Sequence, residues 1–186
     1  MNAGKAVFTE KPLGISLQEI DQCYSLASEK GLPLFLGFMR RFDPSFSNLS
    51  QDVHNGAVGQ LQIIRTTSRD SPLPSLDYIR TSHGIFQDCI VHDLDMIRFV
   101  AREDPEEVFA MGSNFIQGIK DLNDLDTVLV SLKFPSGLLA SIDVSRNSVY
   151  GYDQRVEVFG DGGMMQAENR PRNTTVHSTS EGSRRT

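Results

Sequence analysis

No stretch of this 186-residue chain is apolar for anything near the ~20 residues a membrane helix needs, so no span is expected. The first residues hold neither the apolar core of a signal peptide nor an Arg-rich amphipathic presequence. There is no Lys/Arg run and no basic face. Basic residues number 18 against 24 acidic ones, a net charge of -6, which speaks against nucleic acid as a partner. Cysteine is scarce. Cys23 and Cys89 both fall at apolar positions of expected helices, as reduced thiols of a cytoplasmic protein rather than a disulfide. Internal repeats and low-complexity blocks are absent. So is the G-x-G-x-x-G turn that a nucleotide-binding βαβ unit carries between its first strand and helix. Gly160-Asp161-Gly162-Gly163 is rich in glycine, but it follows a late strand and precedes no helical pattern, so it reads as a turn.

What is present centres on the stretch from Gly84 to Val100, which reads as one helix. Ile85, Phe86, Cys89, Ile90, Met96, Ile97 and Val100 form its apolar face. Asp88, His92 and Asp95 stand at i, i+4 and i+7, on one side of a regular helix. Three readings fit that stripe. A carboxylate one turn from an imidazole can fix its tautomer and stabilise the imidazolium, so that His92 accepts a proton near neutral pH. Taken alone, such a pair is more often solvated and structural. A metal site from the three is the weakest reading, because no second histidine or cysteine cluster lies nearby; metal is not expected.

Upstream, residues 5–9 read as a strand ending in Glu10-Lys11-Pro12, where Pro12 keeps Lys11 out of the helical region. A lysine at the carboxyl end of a strand in an α/β sheet points into the ligand crevice; alone it would be a surface lysine beside a turn. Ser16 with Glu19 predicts a capping box, and the helix it starts ends at Gly31. Residues 33–38 are a second buried strand, giving a right-handed β-α-β unit. Arg40-Arg41 could hold a phosphate or a hydroxyl array, or pair with Asp43. A helix is expected from Ser45 to about Asn55 and a strand over 61–67. Ser68 to Pro74 reads as a polar, Pro-rich loop. His83 reads as a solvated loop histidine. Strands are expected over 107–113, 127–134, 138–145 and 155–159, with Pro135-Ser136-Gly137 as a tight turn. Tyr150 and Tyr152 precede the last of these. From Arg170 the chain loses core-forming residues, and the tail is expected to be largely disordered, with one short strand over 174–177.

Three motifs, in this order, resemble the Gfo/Idh/MocA oxidoreductases: Glu10-Lys11-Pro12; Gly37-Phe38-Met39-Arg40-Arg41-Phe42-Asp43-Pro44; and Gly84-Ile85-Phe86-Gln87-Asp88-x-x-x-His92-Asp93-x-Asp95. Within the family the likeness is nearest to the inositol 2-dehydrogenases, and it runs from about Gly4 to about Asn169. The resemblance implies hydride transfer between a secondary alcohol of a cyclic polyol such as myo-inositol and NAD or NADP. It implies His92 as general base, Asp88 to orient and charge-balance it, and Lys11 on the reacting oxygen. It puts substrate contacts at Arg41, Ser68, Asp70, Asp95, Tyr150 and Tyr152, and a partial cofactor site at Glu10, Lys11 and Pro12. In the family the Glu-Lys-Pro strand comes late in the nucleotide-binding domain, so the chain is expected to be truncated at its start, and at its end as well. The expected class is α+β. Residues 1–39 would be the C-terminal remnant of a Rossmann-type parallel sheet. Residues 40–170 would be an α+β domain whose largely antiparallel open sheet packs on helices and makes homo-oligomer contacts. Residues 171–186 would be the tail. Such a chain would bind little NAD(P) alone; it would be inactive by itself, or a non-catalytic fragment that joins full-length subunits.

Overall fold

A computed structural model of the chain describes residues 1–169, 176–180 and 182–185. Its first unit follows from the local signals. Strand β1 (Val7–Glu10) leads to helix α1 (Leu17–Lys30) and then to strand β2 (Leu34–Gly37). The Ser16 side chain accepts from the Glu19 amide and the Glu19 carboxylate reaches back, so the capping box closes as its spacing requires. Gly31 ends α1 at φ 60, where a side chain would be strained. The two strands pair in parallel, Val7 with Leu34 through Glu10 with Gly37.

A 3-10 turn (Met39–Phe42) and the Asp43 cap lead into α2 (Pro44–His54), which buries Phe46, Leu49 and Val53. Strand β3 (Leu61–Arg69) follows, then α3 (Leu76–Thr81), a π-helical turn (Phe86–Ile90) and α4 (Val91–Ala101). Next come β4 (Glu107–Ser113), α5 (Gln117–Lys120), β5 (Thr127–Lys133), β6 (Leu139–Ser145), β7 (Asp153–Gly160) and β8 (Gly163–Glu168). Six of these strands make one sheet in the order β4-β5-β6-β3-β7-β8. The core lies between this sheet and the helices: Ile64, Val130, Ile142 and Val158 from the sheet meet Leu49, Ile90, Met96 and Ile97 from the helical side. The opposite face is uncovered. Leu129, Leu139, Phe159 and Met164 are about half exposed there, at 48%, 51%, 42% and 56%.

Three expectations are corrected. The central helix is not regular: a π turn, which closes hydrogen bonds over one residue more than an α turn, occupies residues 86–90 and breaks the 3.6 period through Asp88. Phe86 consequently faces outward, 44% exposed. Ser68 and Arg69 belong to β3 and not to the loop that begins at Asp70. The six-stranded sheet is largely antiparallel as expected, with one parallel pair, β3 with β6. The tail is not without structure: β9 (Val176–Thr179), which overlaps the short strand expected over 174–177, and β10 (Gly182–Arg185) pair as an antiparallel hairpin, while positions 170–175, 181 and 186 lie outside the described residues.

Candidate active site

Lys11, at the end of β1, turns its ammonium toward the start of the central helix. Nζ donates to Asp88 Oδ1 at 3.0 Å and to the Asp88 carbonyl at 2.6 Å. Asp88 is held by two further donors: the Tyr78 hydroxyl on Oδ1 and Arg146 Nη1 on Oδ2, both at 2.8 Å. Burial pushes the Asp88 carboxyl up, but the bonds from Arg146, Tyr78 and Lys11 outweigh it and leave the group below the ordinary carboxylate range. His92, four residues on, is nearly buried, with its ring edge-on to Phe38. Burial, then the positive charges of Arg40 and Lys11, hold its pKa down at about 4, with Asp88 acting the other way. At neutral pH the imidazole is therefore uncharged and can take up a proton. Its Nδ1 is buried with no hydrogen-bond partner among the described residues. The expected orienting bond from Asp88 to His92 does not form. The π turn re-aims the carboxylate toward Lys11, so Asp88 acts on His92 only through its charge.

These groups line one cleft of about 570 Å³ with Arg40, Ser68, Asp70, Tyr78, Cys89, Tyr152 and Gln154. Met39, Pro72, Pro74 and Val144 complete the wall. Two cationic side chains, Lys11 and Arg40, and two acidic ones, Asp70 and Asp88, stand among apolar wall, a near balance of charge that suits a neutral ligand. Under the cleft floor lies a second network. Asp93 accepts from Arg40 Nη1 at 3.1 Å and from Ser68 Oγ at 2.7 Å, and Ser68 reaches Gln154 Oε1 at 2.9 Å. Asp70 is pushed up by burial, and its carboxylate accepts only a long contact of 3.7 Å from the Cys89 thiol among the hydrogen bonds described. The thiol itself is pushed up to about 12 by burial, which keeps it protonated at neutral pH.

The geometry thus brings together Lys11, Asp88, His92, Ser68, Asp70 and Tyr152. Arg41, Asp95 and Tyr150 do not line this cleft. Arg41 grips Asp95 through Nε at 2.8 Å and stacks over Phe99, on a different surface. Tyr150 is exposed and donates to Asp153 Oδ2 at 2.8 Å. Of the adjacent arginines it is Arg40 that reaches the cleft; the 3-10 turn decides which one, and composition does not. Tyr78, Arg146 and Gln154 carry no signal as separate residues in the sequence, because the tertiary fold brings them near Asp88 and Ser68, while Cys89 and Asp93 stand inside the third motif without a role being read for them.

The model of the GFO/IDH/MocA C-terminal domain matches residues 46–166. The chain belongs to the Gfo/Idh/MocA oxidoreductase family. A myo-inositol 2-dehydrogenase of Thermotoga maritima is 48% identical over 180 residues, 96% of this chain and 54% of that protein. The crystal structure of a probable dehydrogenase from Thermotoga maritima superposes with a TM-score of 0.93 at 46% identity, over 98% of this chain and 56% of that one. A scyllo-inositol dehydrogenase from Lactobacillus casei, solved with bound NAD(H) and scyllo-inositol, has a TM-score of 0.88 at 31% identity, over 99% and 56%. The chain thus spans about half the length of the relatives it matches, and relatives in the family use NAD(H).

At the start of α1 the amides of Ile15 and Ser16 donate to Glu19 Oε2, at 2.9 and 3.3 Å, so this helix N-terminus is capped from within and does not present those amides to an anion. Of the expected partial cofactor site, Glu10 and Pro12 are exposed, while Lys11 faces Asp88. Cys23 and Cys89 are both free thiols, and among the described residues no group of histidine, cysteine and acidic side chains could hold a metal ion.

Proposed function

We propose that this chain carries the polyol-binding and proton-handling half of an inositol 2-dehydrogenase-like reaction. The parent reaction is reversible hydride transfer between a secondary alcohol of a cyclic polyol, such as myo-inositol, and NAD(P). One observation supports it above the rest: an uncharged, nearly buried His92 and a Lys11 ammonium fixed on Asp88 line the same cleft. In this reading His92 Nε2 takes the hydroxyl proton. Lys11 hydrogen-bonds the same oxygen, and its charge stabilises the developing alkoxide. Asp88 anchors Lys11. Asp70, Arg40, Ser68 and Tyr152 meet further hydroxyls, while Asp95 and Arg41 brace the neighbouring surface. Residues 1–39 are a Rossmann-type remnant, with Glu10, Lys11 and Pro12 as the edge of a cofactor site. Residues 40–170 are the substrate and oligomerisation domain, and 171–186 are an appendage. The setting is the cytoplasm. Alone, the chain binds no free NAD or NADP and turns over no polyol.

Calorimetry on the purified chain tests this reading. Myo-inositol should give saturable heat that Lys11→Ala or His92→Ala abolishes, and NAD or NADP should give none. No heat with myo-inositol would overturn the polyol reading, and saturable heat with a dinucleotide would overturn the account of the cofactor.

The open sheet favours a second reading, in which the chain is a non-catalytic fragment that associates with full-length subunits. Phe159 is paired with Met164 on one side and with Ile63 on the other, and Ile63 with Leu139, so one apolar row crosses four strands of the uncovered face. Co-purification with a full-length partner such as the Thermotoga enzyme would support it, and loss of the complex in Phe159→Lys would place the contact on this face.

A further inference from the structure

Arg146 follows β6 in a loop and is wholly buried, with 0% of its surface exposed. A guanidinium taken out of water costs several kcal/mol unless its donors and charge are met. Arg146 meets them with two carboxylates and a hydroxyl: Nη1 donates to Asp88 Oδ2 at 2.8 Å, and Nη2 to Asp124 Oδ2 and to Ser82 Oγ, both at 3.3 Å. Its Nε finds no partner among the described residues. The cation is therefore not seated for its own best bonding. Its shortest bond goes to the one acidic residue that holds Lys11, and it reaches that residue across 58 positions of sequence. Asp88 sits in the π turn, an irregular backbone that does not by itself fix where its side chain points. Arg146 takes Oδ2, which leaves Oδ1 for Lys11 and Tyr78. The other titratable neighbours on this side are Asp70 and Cys89, whose Sγ lies 3.9 Å from Asp88 Oδ2.

We propose that Arg146 is a positioning residue: by gripping Asp88 Oδ2 from beneath, it sets the carboxylate so that Oδ1 presents Lys11 to the cleft. It touches no substrate. This deepens the functional reading above and rests on the cleft being the polyol site, but its test needs no turnover. A lysine in its place would keep the charge and lose the two-pronged grip. The expected split follows from that difference.

The test compares the intact chain with its Arg146→Lys and Arg146→Met forms. One readout is the ¹³C-carboxyl NMR titration of Asp88. The other is the rate at which Lys11 is acylated, followed by mass spectrometry, with exposed Lys5 and Lys30 as internal controls. In Arg146→Met the Asp88 midpoint should rise by a pH unit or more and Lys11 should react at least threefold faster. In Arg146→Lys the midpoint should stay low, but Lys11 should still react at least threefold faster, because orientation is lost while charge remains. Wild-type Lys11 rates in Arg146→Lys would overturn the proposal, and that form carries the test if Arg146→Met fails to fold. If myo-inositol does not bind while both shifts appear, the polyol reading fails and the positioning role stands.

Discussion

Acid should unfold this protein partly through His92, and the size of the effect follows from its surroundings. The ring is held uncharged by burial and by the charges of Arg40 and Lys11, at a pKa of about 4 against 6.5 for a free histidine. Between those values the unfolded chain binds a proton that the folded chain does not. Stability therefore rises with pH across this window: it is lost progressively as pH falls from about 6.5, and the loss is complete near pH 4. At about 1.4 kcal/mol per pH unit the full loss is roughly 3 kcal/mol. Replacement by phenylalanine keeps a ring beside Phe38, whose centroid is 6.2 Å from that of His92, and removes the titration. Urea unfolding at pH 7, 6, 5 and 4.5 for the wild-type and His92→Phe chains isolates the term. Asp70 and Asp93, both pushed up by burial, favour the folded state as pH falls, but they do so in both chains and cancel in the difference. The wild-type curve should fall below that of the variant by about 1 kcal/mol per pH unit through the window. Parallel curves would refute the claim that the ring is buried and uncharged.

Other outcomes follow from the same geometry. Ile97 is fully buried in the main core, so Ile97→Ala should cost about 2–5 kcal/mol in urea unfolding. In Gly160→Ala the new Cβ would strike the Val58 carbonyl and lie 2.6 Å from Gln60 O, both backbone atoms, so a loss of about 1–3 kcal/mol is expected by the same assay. Ser16→Ala removes half of the capping box and should destabilise by about 1 kcal/mol, read as a lowered melting temperature. Arg40→Ala should weaken myo-inositol binding about tenfold or more by calorimetry, because its charged donor lines the cleft. Arg41→Ala, on the Asp95 side, should change it far less.

Local signals in the sequence were sufficient for the elements that local chemistry decides. The Ser16–Glu19 box, the Gly31 stop and the alternation through β5 and β6 place those elements within a residue or two of where they lie. The cleft was half legible. Lys11, Asp88 and His92 stand in motifs whose resemblance to the family implies one chemistry, and the fold brings them together. What the sequence hid was direction and reach. Alternation cannot tell a parallel neighbour from an antiparallel one, so the β3–β6 pairing was invisible. A helical period cannot announce a π turn, so Asp88 was aimed at His92 and not at Lys11. Strand β8 was missed because Met164-Met165-Gln166 lacks the β-branched pattern that marks a strand. Arg146 was missed because a single arginine after a strand looks like any surface cation until the fold buries it.

The most direct test of the central claim is to titrate myo-inositol into the ¹⁵N-labelled chain and map the amide shifts. The account predicts saturable changes confined to the cleft, at Asp70, Asp88, His92 and Tyr152 and their chain neighbours, and lost in Lys11→Ala. No saturable change, or changes centred on the open face around Leu129 and Phe159, would contradict it.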